Sequence, residues 1–251
     1  MGHETQSEIS HAGLDPNQRL LKAEKIRRLV ETVKPWEGAQ VLDIGTGAGV
    51  IAGTLADAVG PDGELHSVDV VDERVAQSGF QFHMIEDTTL PFRDESFDIV
   101  LSNHVIEHVG LELEQRRHVR EIHRVLRPDG ILYMATATRW LLMEPHYHLP
   151  FLSWLPRPAA GLYLRATKRG TDYDCFLASH RQLRHFLADA GFAWKEPVVE
   201  AMHQMAEIEQ PTGLEKALLT APEPVLKALR PIIPTIIFLA RKNGRARRAQ
   251  A

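Results

Sequence analysis

The chain reads as an α/β fold: a doubly wound parallel sheet with helices on both faces. Three observations predict it. Short apolar runs alternate with helical periods up to residue 137, the pattern of strand–helix–strand units. One run, Val41 to Ile44, passes directly into glycines and then a helix. The 251 residues are 44% hydrophobic with a single cysteine, Cys175. A chain of this size buries its own core without staples, and one cysteine excludes an intramolecular disulfide or a Cys-based zinc cluster.

The elements follow in order. Asp15 to Lys34 carries Leu20, Leu21, Ile26, Leu29, Val30 and Val33 at helical spacing, and Pro35 stops it. Val50 to Val59 is a helix closed by Gly60-Pro61-Asp62-Gly63. Leu65 to Val71, Phe80 to Ile85 and Phe97 to Leu101 are the second, third and fourth strands. Asp98, at a strand start near a turn, is expected to be structural. Leu111 to Leu126 is a charged helix with Val119, Ile122 and Val125 on its apolar face. Arg127-Pro128-Asp129-Gly130 is expected to end it in a turn before a fifth strand, Ile131 to Ala137. Beyond that the alternation breaks. Residues 139–178 are rich in aromatics, Pro and His without a clean period, and read as a lid. Ser179 caps a helix to Ala190, with Gly191 as its stop. Phe192 to Val199 and Thr235 to Leu239 read as two more strands, around a proline-broken helical insertion at 201–231. The expected layout is one domain over 15–242, a disordered start at 1–14 and a basic tail at 243–251.

The glycine run carries the chemistry. In Asp43-Ile44-Gly45-Thr46-Gly47-Ala48-Gly49 a strand ends beside an acid and turns through three glycines into a helix. Glycine admits positive φ and close approach of a ligand, and the helix start offers unpaired N–H groups. A dinucleotide site wants G-x-G-x-x-G. Here Val50 stands at the third glycine position, and Asp43 suits a cationic ligand group better than a pyrophosphate.

The run resembles the first motif of class I S-adenosylmethionine-dependent methyltransferases, acid-x-Gly-x-Gly-x-Gly, in their type 11, small-molecule branch. Further matches follow in order: Ser67-Val68-Asp69, Glu86-Asp87-Thr88-Thr89-Leu90-Pro91-Phe92 with Ser96-Phe97-Asp98, and Leu126-Arg127-Pro128-Asp129-Gly130. The resemblance covers Asp15 to Ala137 densely and the last strands loosely. It implies a Rossmann-like seven-stranded sheet with the last strand antiparallel. It also implies S-adenosylmethionine as cofactor and S-adenosylhomocysteine as product. Gly45, Thr46, Gly47 and Gly49 would cradle the methionine part, and Asp43 would receive its ammonium. Asp69, with Val70 beside it, would hold the ribose hydroxyls. Glu86 or Asp87 would meet the adenine amino group, and Asn103 would face the methionine end.

On the acceptor side, histidines cluster in two places. Asn103-His104-Val105-Ile106-Glu107-His108 follows the fourth strand and Glu144-Pro145-His146-Tyr147-His148 the fifth. A hydroxyl acceptor needs a base, and His104, His108, His146 and His148 are the candidates. Related O-methyltransferases bind a divalent metal here through E-x-x-E-H and a later His. The corresponding alternative set is His104, Glu107, His108 and His146, with the family's first acid replaced by His104. The leading expectation holds no metal, and a purely structural cluster is the third reading.

Lys+Arg 29 against Asp+Glu 33 gives a net charge of -4, no nucleic-acid footprint. No N-P-P-aromatic motif follows the fourth strand. No apolar run reaches a membrane span, and the start lacks a signal-peptide layout. A reduced cytoplasmic protein, monomer or homodimer, is the expectation. The expected function is methyl transfer to a small-molecule hydroxyl, in specialised or glycan- or quinone-type metabolism. The alternatives are a membrane or lipid-linked acceptor, an inactive cofactor-binding scaffold and a nicotinamide oxidoreductase. The lid and the apolar Pro231 to Ala240 stretch favour the membrane reading, with peripheral contact. The cations Arg241, Lys242, Arg245, Arg247 and Arg248 read as a solvated tail or a contact for an anionic surface.

Overall fold

The alternating elements form one seven-stranded sheet, seen in a computed structural model that describes residues 16–144, 147–173, 175–213, 217, 219–229 and 233–244. The expected start at 1–14, His146 and residues 245–251 of the tail lie outside the described residues. Helix α1 (Pro16–Glu31) leads to β1 (Gln40–Ile44), α2 (Val50–Val59), β2 (Glu64–Asp69), β3 (Gln81–Met84) and β4 (Phe97–Asn103). Then come α3 (Glu112–Val125) and β5 (Leu126–Ala137). The lid segment holds β6 (Met143–Glu144), β7 (Leu149–Pro150), a 3-10 turn (Leu152–Trp154) and α4 (Arg157–Thr167). The chain ends with α5 (His180–Asp189), β8 (Phe192–Lys195), α6 (Val198–Glu209), α7 (Glu223–Leu229) and β9 (Thr235–Lys242).

Strand order is β3-β2-β1-β4-β5-β9-β8. The first five are parallel, and β9 runs antiparallel to both β5 and β8. The predicted doubly wound sheet with its antiparallel last strand is therefore the fold observed. Successive strand residues face opposite sides, so strands buried on both faces read as continuous apolar runs. Val41, Leu65, Ile99 and Tyr133 pack with Ile26 of α1 and Leu55 of α2. Leu42, Val68, Val100 and Leu132 pack with Ile122 of α3 and Phe186 of α5. The order reverses between β1 and β4, which opens a crevice at their C-terminal ends, the place where open α/β sheets bind ligands.

Several expectations are corrected. Arg127-Pro128-Asp129-Gly130 is extended chain within β5, not a turn. Phe97 pairs with Leu126 and Ile99 with Ile131, so four residues of β5 bulge opposite Asp98. Charge holds the bulge: Asp98 pairs with Arg127, and Lys34 reaches both Asp98 at 3.5 Å and Asp129 at 2.9 Å. Asp98 also accepts the Gln40 N–H at 3.0 Å, the structural role expected of it. The lid segment is not irregular throughout. It contains the 11-residue α4 and its own buried core of Tyr147, Leu149, Leu152, Leu164 and Tyr173. The run from Phe192 is a strand only to Lys195, because Pro197 caps a helix that starts at Val198. The apolar stretch before residue 240 is no surface feature: Ile236 to Ala240 are buried in β9, between β5 and β8. Arg241 and Lys242 belong to that strand. Arg241 donates to the Val33 carbonyl, and Lys242 lies 3.6 Å from Glu95. No helix among the described residues is long and apolar enough to cross a membrane.

Helix α5 begins on a reciprocal cap. The Gln182 N–H donates to Ser179 Oγ at 3.3 Å, and the Ser179 N–H donates to Gln182 Oε1 at 3.0 Å. Ser179→Ala should cost about 1 kcal/mol, lowering Tm by roughly 2–4 °C in a chain of this length. Equilibrium urea unfolding with an unchanged m-value checks it.

Candidate functional site

The glycine turn sits at the crevice. Gly45, Gly47 and Gly49 have φ of 71°, 50° and 75°, a region that costs other residues strain. Two of them also have no room for a side chain. A Cβ at Gly45 would lie 2.5 Å from Val105 Cγ2, and one at Gly49 would lie 2.3 Å from the Ala76 carbonyl oxygen. The turn is therefore clasped by the loop after β4 on one side and the loop after β2 on the other. The Gly45 N–H donates to the Val68 carbonyl at 2.8 Å, which carries the turn over the end of β2.

Two acids face this turn in different states. Asp69 ends β2 and accepts from the Gly47 N–H at 2.8 Å and the Val70 N–H at 2.7 Å. Asp43 is buried, and its Oδ2 has no hydrogen-bond partner. Burial pushes its carboxyl up to about 7; the Thr46 hydroxyl opposes that in part, and nearby Asp69 adds to it. An unsatisfied buried acceptor asks for a donor, best a cationic one. Across the turn, Arg19 of α1 is largely buried, with Nη1 3.9 Å from where a Gly47 Cβ would stand. The turn thus has an under-satisfied acid at the end of β1 and a guanidinium beside Gly47.

The other predicted cofactor residues line the same edge. Asn103 lies two residues beyond Leu101, the register partner of Asp43, on the same face of the sheet. Glu86 and Asp87 follow β3, where the Ile85 N–H donates to the Asp69 carbonyl. Both acids are exposed. Asp87 accepts the Thr89 N–H at 2.7 Å, and that bond holds its carboxyl below the usual range. Val70 is 56% exposed beside Asp69.

His104 is the first residue past β4. It adopts a left-handed conformation, φ 59°, uncommon for a side chain of this size. Its N–H is fixed on the Ala135 carbonyl at 2.8 Å, and its Nδ1 lies 3.0 Å from Glu107 Oε1. Glu107 is buried, yet its oxygens are fully engaged. The Thr136 hydroxyl donates to Oε2 at 2.8 Å and the Ala137 N–H to Oε1 at 3.3 Å. Burial alone would raise this carboxyl, but His104, the backbone and Thr136 together hold it at about 2. Glu107 is thus an ionised acceptor, facing the Nδ1 side of the His104 ring. The side chain of His104 is 30% exposed, so the ring is open to a ligand.

The remaining histidines differ. His108 is half-buried, and its N–H donates to the Val105 carbonyl. His148 is exposed in the lid with φ 50°. His118, not singled out in the sequence, is buried against Ser102 Oγ at 2.9 Å, and burial pushes it down to about 4. Of the alternative metal set, Glu107 has both oxygens committed to protein donors and His146 lies outside the described residues. Among the described residues no group of three or more His, Cys, Asp or Glu could hold a metal ion.

The lid is tied into this loop. The Phe176 N–H donates to the Glu107 carbonyl at 2.7 Å, and Gln115 Nε2 donates to the carbonyls of Phe176 at 2.6 Å and Ile106 at 3.1 Å. Arg19, Thr136 and Gln115 carried no signal in the sequence, each being an ordinary polar position within a helix or strand.

Comparison with known proteins agrees with this geometry. A family profile described as a methyltransferase domain matches residues 42–134. A ubiquinone biosynthesis O-methyltransferase of Chelativorans sp. is 29% identical over 176 residues, 65% of this chain and 62% of that protein. An arsenite methyltransferase of Halobacterium salinarum is 37% identical over 103 residues, 37% of this chain and 26% of that protein. The chain thus spans less than two thirds of the length of these relatives. Among solved structures, an S-adenosylmethionine-dependent methyltransferase of Mesorhizobium loti superposes with a TM-score of 0.58 at 13% identity, covering 88% of this chain and 100% of that one. The [4+2]-cyclase SpnF has the same fold, with a TM-score of 0.53 at 20% identity over 88% of this chain and 81% of its own. With the acid-and-glycine turn, the strand order and the profile over residues 42–134 in agreement, the chain carries a methyltransferase domain with the fold of the S-adenosylmethionine-dependent methyltransferases.

Proposed function

We propose that this protein transfers a methyl group from S-adenosylmethionine to a hydroxyl of a small-molecule acceptor, with His104 as the base. The observation that carries the reading is the His104–Glu107 pair beside the glycine turn. The same loop carries the partly exposed His104 and packs Val105 against Gly45, which supports the reading. The name of the Chelativorans relative, an O-methyltransferase, supports an oxygen acceptor. The cyclase among the fold neighbours is a reminder that fold alone does not decide the reaction.

The residues present fit the cofactor. The orphaned Asp43 Oδ2 meets the ammonium and Arg19 the carboxylate of its amino-acid end. Asp69 and Val70 take the ribose side. Glu86 takes the adenine amino group, since Asp87 is spent on its own turn. When bound, the cofactor supplies a methyl group on a cationic sulfur, a leaving group that needs no further activation. The work left to the chain is alignment and one proton. Alignment of two bound reactants can supply roughly 7–11 kcal/mol of a barrier. The proton goes from the acceptor hydroxyl to His104 Nε2. The imidazolium so formed is stabilised by the ionised Glu107 behind it, which is itself fixed by Thr136 and Ala137.

Three outcomes test this. First, binding of S-adenosylhomocysteine should depend on pH through Asp43. A carboxyl raised to about 7 is protonated below that pH and must ionise to meet an ammonium. Affinity should therefore rise about tenfold per unit as pH climbs toward 7 and level off above it. Calorimetry across pH 5.5 to 8.5 reads the slope, and Asp43→Asn should flatten it. NADH should not bind.

Second, Asp69→Ala should weaken cofactor binding by roughly 2–4 kcal/mol, because one carboxylate supports both the ligand and the Gly47 N–H. Affinity unchanged within twofold would discard the ribose role.

Third, His104→Ala should lower kcat roughly 10²–10⁴-fold with the cofactor dissociation constant unchanged. Glu107→Gln should lower kcat with little change in KM for the cofactor. Acceptors carrying an already ionised oxygen should be spared by both substitutions. If chelator removes activity and Mg²⁺, Mn²⁺ or Zn²⁺ restores it, the base is a metal-bound species and the His104 assignment fails.

A further inference from the structure

Six of the fourteen large apolar side chains exposed among the described residues fall between residues 140 and 162: Trp140, Leu142, Met143, Phe151, Trp154 and Leu162. They include every exposed Trp and Phe of those residues. Three of them form one ring cluster. Trp140 meets Trp154 edge-on with centroids 5.4 Å apart, and Phe151 meets Trp154 at 5.2 Å. The cluster is not a loop that failed to find a core. Trp154 Nε1 donates to the Leu141 carbonyl at 2.8 Å, and the Phe151 N–H to the Leu142 carbonyl at 2.9 Å. Behind them the lid has its own buried core of Tyr147, Leu149, Leu152 and Leu164. The lid therefore buries one set of apolar side chains and holds another set outward on fixed backbone.

The charge of this segment is also one-sided. Among the described residues Arg139, Arg157, Arg165, Lys168 and Arg169 are exposed, against one exposed acid, Asp172, which lies 3.9 Å from Arg165; Arg157 and Arg169 also donate to lid carbonyls. The lid's other described acid, Glu144, is buried. The chain as a whole carries a net charge of -4, so the lid is cationic on an anionic protein. Leu162 and Arg165 stand three residues apart on α4, on one exposed face.

We propose that this face of the lid docks on the surface of an anionic lipid bilayer. Indole rings favour the boundary between water and acyl chains, since one end is apolar and the other wet. Arg139, next to Trp140 in the chain, and the exposed cations of the same segment are drawn to anionic headgroups. With no spanning helix among the described residues, the contact is interfacial. A second copy of the chain is the poorer occupant, because a symmetric contact would set the same cationic segment against itself. The lid's last residues are latched to the Glu107 loop through Phe176, so the docked face belongs to a segment that adjoins His104. The inference does not depend on the methyl-transfer reading, and its test involves no acceptor.

The experiment is sedimentation of the full chain with vesicles of equal parts phosphatidylglycerol and phosphatidylcholine, beside vesicles of phosphatidylcholine alone. The chain should sediment with the anionic vesicles and not the neutral ones, and high salt should weaken the binding. Tryptophan emission should shift to the blue on mixing. The double variant Trp140→Gln, Phe151→Gln should reduce the bound fraction about tenfold or more while its circular dichroism spectrum stays that of the parent. A second variant, Arg139→Gln with Lys168→Gln, leaves the rings in place and should also lose binding to anionic vesicles. Failure of the parent chain to bind, or binding by either variant equal to that of the parent, overturns the proposal. So does a concentration-dependent dimer, seen by light scattering, that the ring substitutions dissolve, since the patch would then face a second copy.

Discussion

The carboxylate of Glu107 is the point on which the site depends. It lies buried where four segments meet and bonds to three of them through its own atoms. Oε1 takes His104 Nδ1 and the Ala137 N–H, Oε2 takes the Thr136 hydroxyl, and the Glu107 carbonyl takes the Phe176 N–H. The fourth segment, α3, joins through Gln115, which grips the carbonyls on either side. Removing a charge from water costs several kcal/mol unless its lone pairs are filled. Here they are filled, so the ends of β4 and β5 and the exit of the lid are held in one register. The left-handed backbone of His104 persists inside that arrangement because the surrounding bonds over-determine it.

Asp43 is the opposite case within the same crevice. Both acids are buried, yet Glu107 is held at about 2 and Asp43 is pushed up to about 7. The difference is partners rather than depth. Glu107 is served by donors from three directions, while Asp43 Oδ2 is served by none. A satisfied buried carboxylate organises structure, and an unsatisfied one is a vacancy for a donor. The two acids thus differ in what they lack: Glu107 has its donors within the chain, and Asp43 Oδ2 has none among the described residues.

The lid extends this logic outward. Its chain leaves the sheet after β5 and returns to the Glu107 loop at Phe176, with a small core of its own between. That core lets the lid present aromatic rings to the outside without collapsing on them.

What the sequence alone determined is what local chemistry dictates. Three glycines at alternate positions require positive φ, and an acid before them sets the character of the turn. Apolar runs between helical periods define a parallel sheet, and Ser179 marks a helix start to the residue. These features depend on neighbours within a few positions, so they are legible in one dimension. The tertiary structure decided the rest. In the sequence Glu107 reads as one ligand of the alternative metal set. Only the arrival of Thr136 and Ala137 from β5, 29 and 30 residues away, commits its oxygens to protein donors. Arg19 is one polar position among many on α1 until packing lays it over Gly47. Arg127-Pro128-Asp129-Gly130 has the composition of a turn, but Asp98 and Lys34 draw it out into the sheet. The apolar run into β9 could have been a surface anchor, and it is core because β5 and β8 flank it. In each case the deciding partner is distant in sequence, and the free energy that chooses between readings resides in a contact that exists only once the chain has folded.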